Sequence, residues 1–307
     1  MSSMKIVKSS PHHFFYYLSG MSLLWINMIR HTIQGYKAPR TFPMDDIQQA
    51  IRYDYGVVRN WLKFLHDYSG NTSSLKGKTI LELGPGADLG IGVILLRKGA
   101  AKYNALDVNN LIQSAPDRFY QELLDFLNLQ NDSPEVSPEF LRGQLQATYN
   151  GRNDKLNYVC DRSFDVTIFK GEDIDYILSQ ASFEQFDDVE KTVKQLSEIS
   201  KPGTVFLAEI DLGTLTRWIR DIDPLNIYRY PDFIYHWFKF LGSPNRLRPY
   251  EYEKILKKNG WTDVKIIPET VLDKKYVRKV QNHLWKKFRN PVNQMDYLSV
   301  VICATKY

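Results

Sequence analysis

Residues 78–108 read KTILELGPGADLGIGVILLRKGAAKYNALDV, and this stretch decides the fold. KTILELG is a short apolar run that ends at a glycine, with Glu82 inside it. GPGADLG carries the residues that punctuate regular structure. IGVILLRKG has helical composition and is closed by Gly99. KYNALDV is a second strand-like run. Strand, glycine turn, helix and strand in this order form one βαβ unit.

A glycine turn between a strand and a helix is a place to hold a ligand. Glycines allow close approach and unusual dihedrals. The helix N-terminus offers oriented N–H groups, and open α/β sheets bind ligands at the carboxyl ends of their strands. Here the turn carries Gly84, Pro85 and Gly86, flanked by Glu82 and, at the end of the next strand, Asp107. A dinucleotide fingerprint would need a third glycine at position 89, which is Leu89. Glu82 also argues against a pyrophosphate, because like charges a few ångströms apart repel. A ligand with an amino group and a sulfonium tolerates a carboxylate there, and Asp107 suits a ribose diol.

Outward from this unit, strands and helices keep alternating. Residues 44–66 show an apolar helical face, 116–130 read as a helix and 131–138 as a polar connection. Strands are predicted at 156–160, 175–179 and 204–210. Between the last two lies an amphipathic helix, 186–200, stopped by Lys201-Pro202-Gly203. Residues 212–248 are rich in aromatics and proline and break the alternation. A helix at 248–260, a strand at 261–267, a basic helix near 273–289 and a strand at 297–305 complete the chain. The expected fold is an α/β sheet covered by helices on both faces, with the final strand antiparallel. The expected division is a helical N-terminal extension or lid, 1–70, and a main domain, 71–307, with an insertion at about 212–248.

On these residues the chain resembles the class I S-adenosylmethionine (SAM)-dependent methyltransferase family, over about residues 78–211. ILELGPG (80–86) resembles the family's first motif, which implies that Glu82, Gly84, Pro85 and Gly86 line the amino-acid part of SAM. LDV (106–108) resembles the second, which implies Asp107 on the ribose hydroxyls with Val108 beside it. Cys160-Asp161 resembles the Gly-Asp pair after the third strand, which implies Asp161 near the adenine amino group and Arg162 next to it; Cys160 stands where relatives carry glycine. SQASFEQFDDVEKTVKQLSEISKPGTVFLAEID (179–211) resembles the fourth strand, its helix and the fifth strand, with Ser179 and Gln180 at the strand end that faces the reacting centre. Glu184-Gln185 stands where many relatives carry Glu-His, so an imidazole role there is absent. ADLGIG also departs from the commoner Thr-Gly continuation. The resemblance implies a Rossmann-like methyltransferase sheet, SAM as cofactor and an enzyme, and says little of the acceptor.

Methyl transfer needs alignment rather than a protein nucleophile. An O or N acceptor on a small molecule, such as a natural product, a sugar or a lipid-linked compound, can also call for a general base. Glu184, Asp211 and His236 are the candidates; each has a plain alternative as a packed or turn residue. Arg246 and Arg248 could bind an anion or support the adjacent helix.

Composition narrows the remaining classes. The 307 residues are 43% hydrophobic and 24% charged, an ordinary globular balance. A net charge of +5 ranks nucleic acid below a metabolite as partner. Cys160 and Cys303 have no partner spacing, no metal constellation is visible, and a reducing cytoplasm is the default compartment. The apolar run 14–29 reads as a lid or packing helix, an interfacial membrane helix, or a processed signal. The basic segment 273–289 reads as a solvated amphipathic helix or a contact to anionic headgroups. Both segments keep open a peripheral membrane contact, and with it an alternative function: a membrane-surface binding or assembly protein with a vestigial SAM site.

Overall fold

The computed structural model describes residues 13–34, 46–70, 74–130 and 135–307. Seven strands form one sheet: β1 (Thr79–Leu83), β2 (Lys102–Asp107), β3 (Leu156–Cys160), β4 (Tyr176–Gln180), β5 (Val205–Asp211), β6 (Trp261–Val271) and β7 (Tyr297–Lys306). Their order is β3-β2-β1-β4-β5-β7-β6. The first five are parallel, while β7 runs antiparallel between β5 and β6. The strand order reverses between β1 and β4, which opens a crevice at their carboxyl ends.

Side-chain alternation assigns each face of the sheet its helices. Ile80, Tyr103, Leu178 and Leu207 pack under α2 (Ile47–Ser69), α3 (Gly90–Arg97), α4 (Asp117–Leu129) and α5 (Pro138–Tyr149). Leu81, Leu106, Ile177 and Phe206 pack under α6 (Val189–Ile199) and α9 (Pro249–Lys258). α2 starts where Asp46 accepts a hydrogen bond from the Gln49 N–H at 3.0 Å. Ala50, Ile51, Val58, Trp61 and Leu65 on α2 are buried in the main core. The expected border near residue 70 therefore falls between elements that share one core.

A third core lies to one side of the sheet. It joins α1 (His13–Gln34), the insertion with its short helices α7 (Arg217–Arg220) and α8 (Asp232–Trp237), and α10 (Lys274–Gln281). Gly20 lets α1 approach closely: a Cβ there would stand 2.0 Å from Asn226 Oδ1 and 2.3 Å from the Tyr230 hydroxyl. Asp223 and Arg229 form a fully buried ion pair at 2.7 Å, and the Tyr276 hydroxyl donates to Asp223 at 2.6 Å. Those bonds tie the insertion to α10.

One expectation is corrected here, and one open alternative is decided. The basic segment is not one helix over 273–289: α10 ends at Gln281 and a separate 3₁₀ turn covers Lys286–Arg289. Leu284 and Phe288 are buried in the third core beyond that break, and Trp285 N–H donates to Tyr228 O at 2.8 Å within it. Arg246 and Arg248 do not offer their guanidinium groups to an anion. Arg248 is fully buried and donates to the carbonyls of Asn293, Gln294 and Tyr297 at 2.6–2.9 Å. Arg246 donates to the carbonyls of Ile227 and Tyr230 and pairs with Asp232. Both side chains satisfy backbone groups that would otherwise be buried without partners. No helix among the described residues is long and apolar enough to cross a membrane.

Candidate functional site

A cleft of about 410 Å³ opens at the carboxyl ends of β1, β2 and β4. Its floor is the glycine turn. Gly84 and Gly86 have φ of 73° and 81°, in the left-handed region. A Cβ on Gly84 would also lie 2.7 Å from the side chain of Ser182. Ser182 Oγ donates to Leu83 O at 2.9 Å, and Ser179 Oγ donates to the same carbonyl at 3.0 Å. Ser179 is thus fully buried and clamps β4 to the end of β1; Gln180 and Ser182 line the cleft instead.

Carboxylates dominate the interior. Glu82 is fully buried, and its Oε2 accepts from the Tyr103 hydroxyl at 2.5 Å while Oε1 has no partner. Burial pushes the Glu82 pKa up to about 8; the Tyr103 bond opposes the shift, and Asp88 and Asp107 add to it. Asp107 accepts from the N–H groups of Asn109 at 2.9 Å and Gly86 at 3.4 Å, and burial still raises its pKa. Asp88 accepts from Gly90 N–H at 2.8 Å. Behind it, Asp54 of α2 is buried against Gly90, where a Cβ would stand 2.0 Å from Asp54 Oδ2. Burial raises the pKa of both Asp54 and Asp88, and the two carboxyls interact directly. The cationic side chains lining the cleft are Arg162 and Lys191, both exposed at its rim. The interior therefore favours a cationic guest and repels a phosphate.

Apolar walls complete the cleft. Val108, Leu111, Ile91 and Pro85 line one part, and Phe164 and Phe186 pack with ring centroids 4.6 Å apart in another. Ala50 and Tyr53 of α2, with Leu241 and Gly242 of the insertion, contribute further lining.

Of the residues expected from sequence, Glu82, Gly84, Pro85, Gly86, Asp107, Val108, Arg162 and Gln180 come together around this cleft. Asp161 does not. Its carboxylate accepts from Ser163 Oγ, Ser163 N–H and Asp165 N–H at 2.5–3.2 Å, and these bonds hold its pKa low. These bonds turn the carboxylate into its own loop, and Asp161 is not among the residues that line the cleft.

The three general-base candidates also lie outside the lining. Glu184 is buried with Oε2 unpartnered, and burial together with nearby Asp211 keeps its pKa well above the carboxylate range. Asp211 is held by Arg220 at 2.7 Å and Gly213 N–H at 2.8 Å. His236 is exposed, with Nδ1 2.6 Å from Asp232 O. It borders a separate hollow.

Sequence reasoning missed several groups here. Asp54 sits at helical spacing between Ala50 and Val58, a charge inside an apolar stripe, and that position was readable. Tyr103 lies on the same sheet face as Glu82 by strand parity. Gln180 neighbours Glu209 in register on β5, and Glu209 meets Glu269. Glu269 sits in a bulged part of β6, between Pro268 and Thr270, and its pKa is raised to about 7 by burial and Glu209. That juxtaposition depends on an irregular register that sequence does not announce.

A family model described as a methyltransferase domain matches residues 52–266. No curated protein matches the sequence. Among solved structures, the CurJ carbon methyltransferase is 15% identical with a TM-score of 0.49; the match covers 94% of this chain and 66% of that one. The YcgJ protein of Bacillus subtilis is 13% identical, with a TM-score of 0.46 and 82% and 98% covered. A phosphoethanolamine N-methyltransferase of Haemonchus contortus, in complex with phosphomonomethylethanolamine and S-adenosylhomocysteine, is 14% identical, with a TM-score of 0.43 and 87% and 61% covered. The chain thus spans less than two thirds of the first and third of these proteins. From the family match over most of its length and the sheet that carries its glycine turn, the chain belongs to the class I SAM-dependent methyltransferase family.

Proposed function

We propose that this cleft holds SAM and that the protein transfers its methyl group to an oxygen or nitrogen of a small molecule. The observation that carries the reading is Glu82 Oε1, a buried carboxylate oxygen without a partner in a cleft lined by five acidic side chains and no buried cation. An ammonium group is the chemical complement of that atom. Gly84 and Gly86 leave room for a ligand against the turn, Asp107 at the end of β2 lines the cleft and suits a ribose diol, and the Phe164 and Phe186 rings in the lining suit a base.

SAM, when bound, supplies an electrophilic methyl carbon. The chain's residues then bind, orient and exclude water. Holding two reactants in line supplies about 7–11 kcal/mol of a barrier, so a cleft without a protein nucleophile is chemically sufficient. Ala50, Tyr53, Leu241 and Gly242 are drawn from outside the glycine-turn unit and form the natural acceptor wall.

Titration calorimetry with SAM and S-adenosylhomocysteine tests the reading. The wild type binds both, and Asp107→Ala weakens binding at least roughly tenfold, the loss expected for one or two hydrogen bonds to a charged group. No binding by the wild type, or equal affinities, would overturn the proposal.

A further inference from the structure

The third core carries an exposed face that methyl transfer does not require. On α1, Tyr16, Gly20 and Leu24 are buried at helical spacing against the insertion. The opposite face presents Phe14, Leu18, Trp25 and Ile33 to solvent, where a globular helix ordinarily carries polar side chains. Among the described residues, eleven of the sixteen exposed large apolar side chains come from α1 and residues 218–241. They include Trp218 at 85% and Trp237 at 78% exposure. Trp25, Trp218 and Trp237 are the tryptophans exposed in this way.

Contacts join these side chains into one region. Asn27 donates to Thr216 Oγ1 at 3.1 Å, two residues from Trp218. His31 stacks on Phe240 at 4.2 Å, next to Leu241, which lines the cleft. At the other end of α1, His13 stacks on His283 at 3.5 Å, which brings in α10 and the turn after it. Lys274, Lys275, Arg278, Lys279, Lys286 and Arg289 are exposed there, and no acidic residue occurs between 274 and 289.

We infer that α1, α7 and α8, with the neighbouring basic strip, form a docking surface for an anionic phospholipid bilayer beside the mouth of the cleft. Tryptophan and phenylalanine rings enter the boundary between headgroups and acyl chains, and the cations meet lipid phosphates. Either signal alone gives weak binding; together they give stable peripheral attachment. Charge complementarity favours this occupant: the exposed cations of the strip have no acidic residue among them and meet the phosphates of an anionic bilayer. A further clause rests on the proposed function: an acceptor held in that bilayer would reach the cleft past Leu241.

Flotation of the full chain with vesicles, without SAM, keeps the two proposals separate. Calorimetry reads the donor site, and flotation reads the docking face. The wild type floats at low salt with phosphatidylcholine vesicles containing about one third phosphatidylglycerol. Flotation falls at least tenfold on pure phosphatidylcholine. Trp218→Ser/Trp237→Ser, which alters only exposed positions, keeps its circular dichroism and its S-adenosylhomocysteine affinity. It loses at least roughly tenfold in partition coefficient, since burying a large side chain is worth that much or more. Absence of flotation at low salt, or equal flotation of the variant, overturns the proposal. So does a wild-type dimer in light scattering that the variant dissolves while neither floats, because the occupant is then a second copy.

Discussion

Replacing Glu82 by glutamine is the most revealing single perturbation of the donor site. The shape is kept and the charge is removed. In the folded chain the Glu82 pKa is raised from an ordinary 4.5 to about 8, so folding favours its protonated form. Below about pH 4.5 both states are protonated and the group costs nothing. From there to about pH 8 the unfolded chain ionises and the folded one does not, so stability falls by about 1.36 kcal/mol per unit. The arithmetic gives about 3 kcal/mol at pH 7 and about 5 kcal/mol above pH 8. Glutamine has no such cost. Urea unfolding of both proteins at pH 5, 6, 7 and 8 should show near-equal stabilities at pH 5 and a gap of about 3 kcal/mol in favour of Glu82→Gln at pH 7. The Asp54–Asp88 pair adds a slope of its own to both proteins, and because Glu82 is charge-coupled to both carboxyls the difference includes that coupling. Saturating S-adenosylhomocysteine should then stabilise the wild type far more than the variant, because the ligand's ammonium meets the ionised carboxylate. Parallel pH profiles, or a variant less stable than wild type at pH 7, would refute the reasoning.

Two further variants test the cleft. Gly84→Ala places a Cβ 2.7 Å from Ser182 at a φ of 73° and should cost about 1–3 kcal/mol in chemical unfolding; an unchanged midpoint would show that the turn relaxes freely. Asp161→Ala should leave S-adenosylhomocysteine affinity within about twofold, since that carboxylate is occupied by its own turn; a tenfold loss in calorimetry would place it at the ligand.

Much of this fold was legible because strand parity and helical periodicity act locally. The strands through β5 and most of their helices follow from such patterns, while the antiparallel β7 was suggested by the long connection that precedes it. α5 escaped notice although Ser137-Pro138-Glu139 opens it: the Ser137 side chain accepts from Phe140 N–H, and Pro138 sits in the first turn. The apolar period after it is too weak to stand out. The basic segment looked like one helix because its apolar spacing continues through Leu284 and Phe288, but the helix stops at Gln281 with Asn282 as its C-cap, and the later residues reach the same core from a separate turn. Arg246 and Arg248 stayed open between an anion and the adjacent helix for a different reason. Sequence shows their charge and hides the buried carbonyls that absorb it. Within the site, the residues of the glycine turn were readable from dihedral need and charge. Tyr103 and the Glu209–Glu269 contact were not, since both arise where strands are laid side by side.

The third core also has a mechanical consequence. Its parts leave the sheet at different places: the insertion is anchored at both ends, between β5 and α9, and the α10 segment at both ends, between β6 and β7. The buried Asp223–Arg229 pair and the Tyr276 hydroxyl then rivet one excursion to the other. A body bolted to its frame at four points has no single hinge. Leu241 follows Phe238 of that body along the chain, so substitutions there would change what passes into the cleft without altering how the donor floor is built.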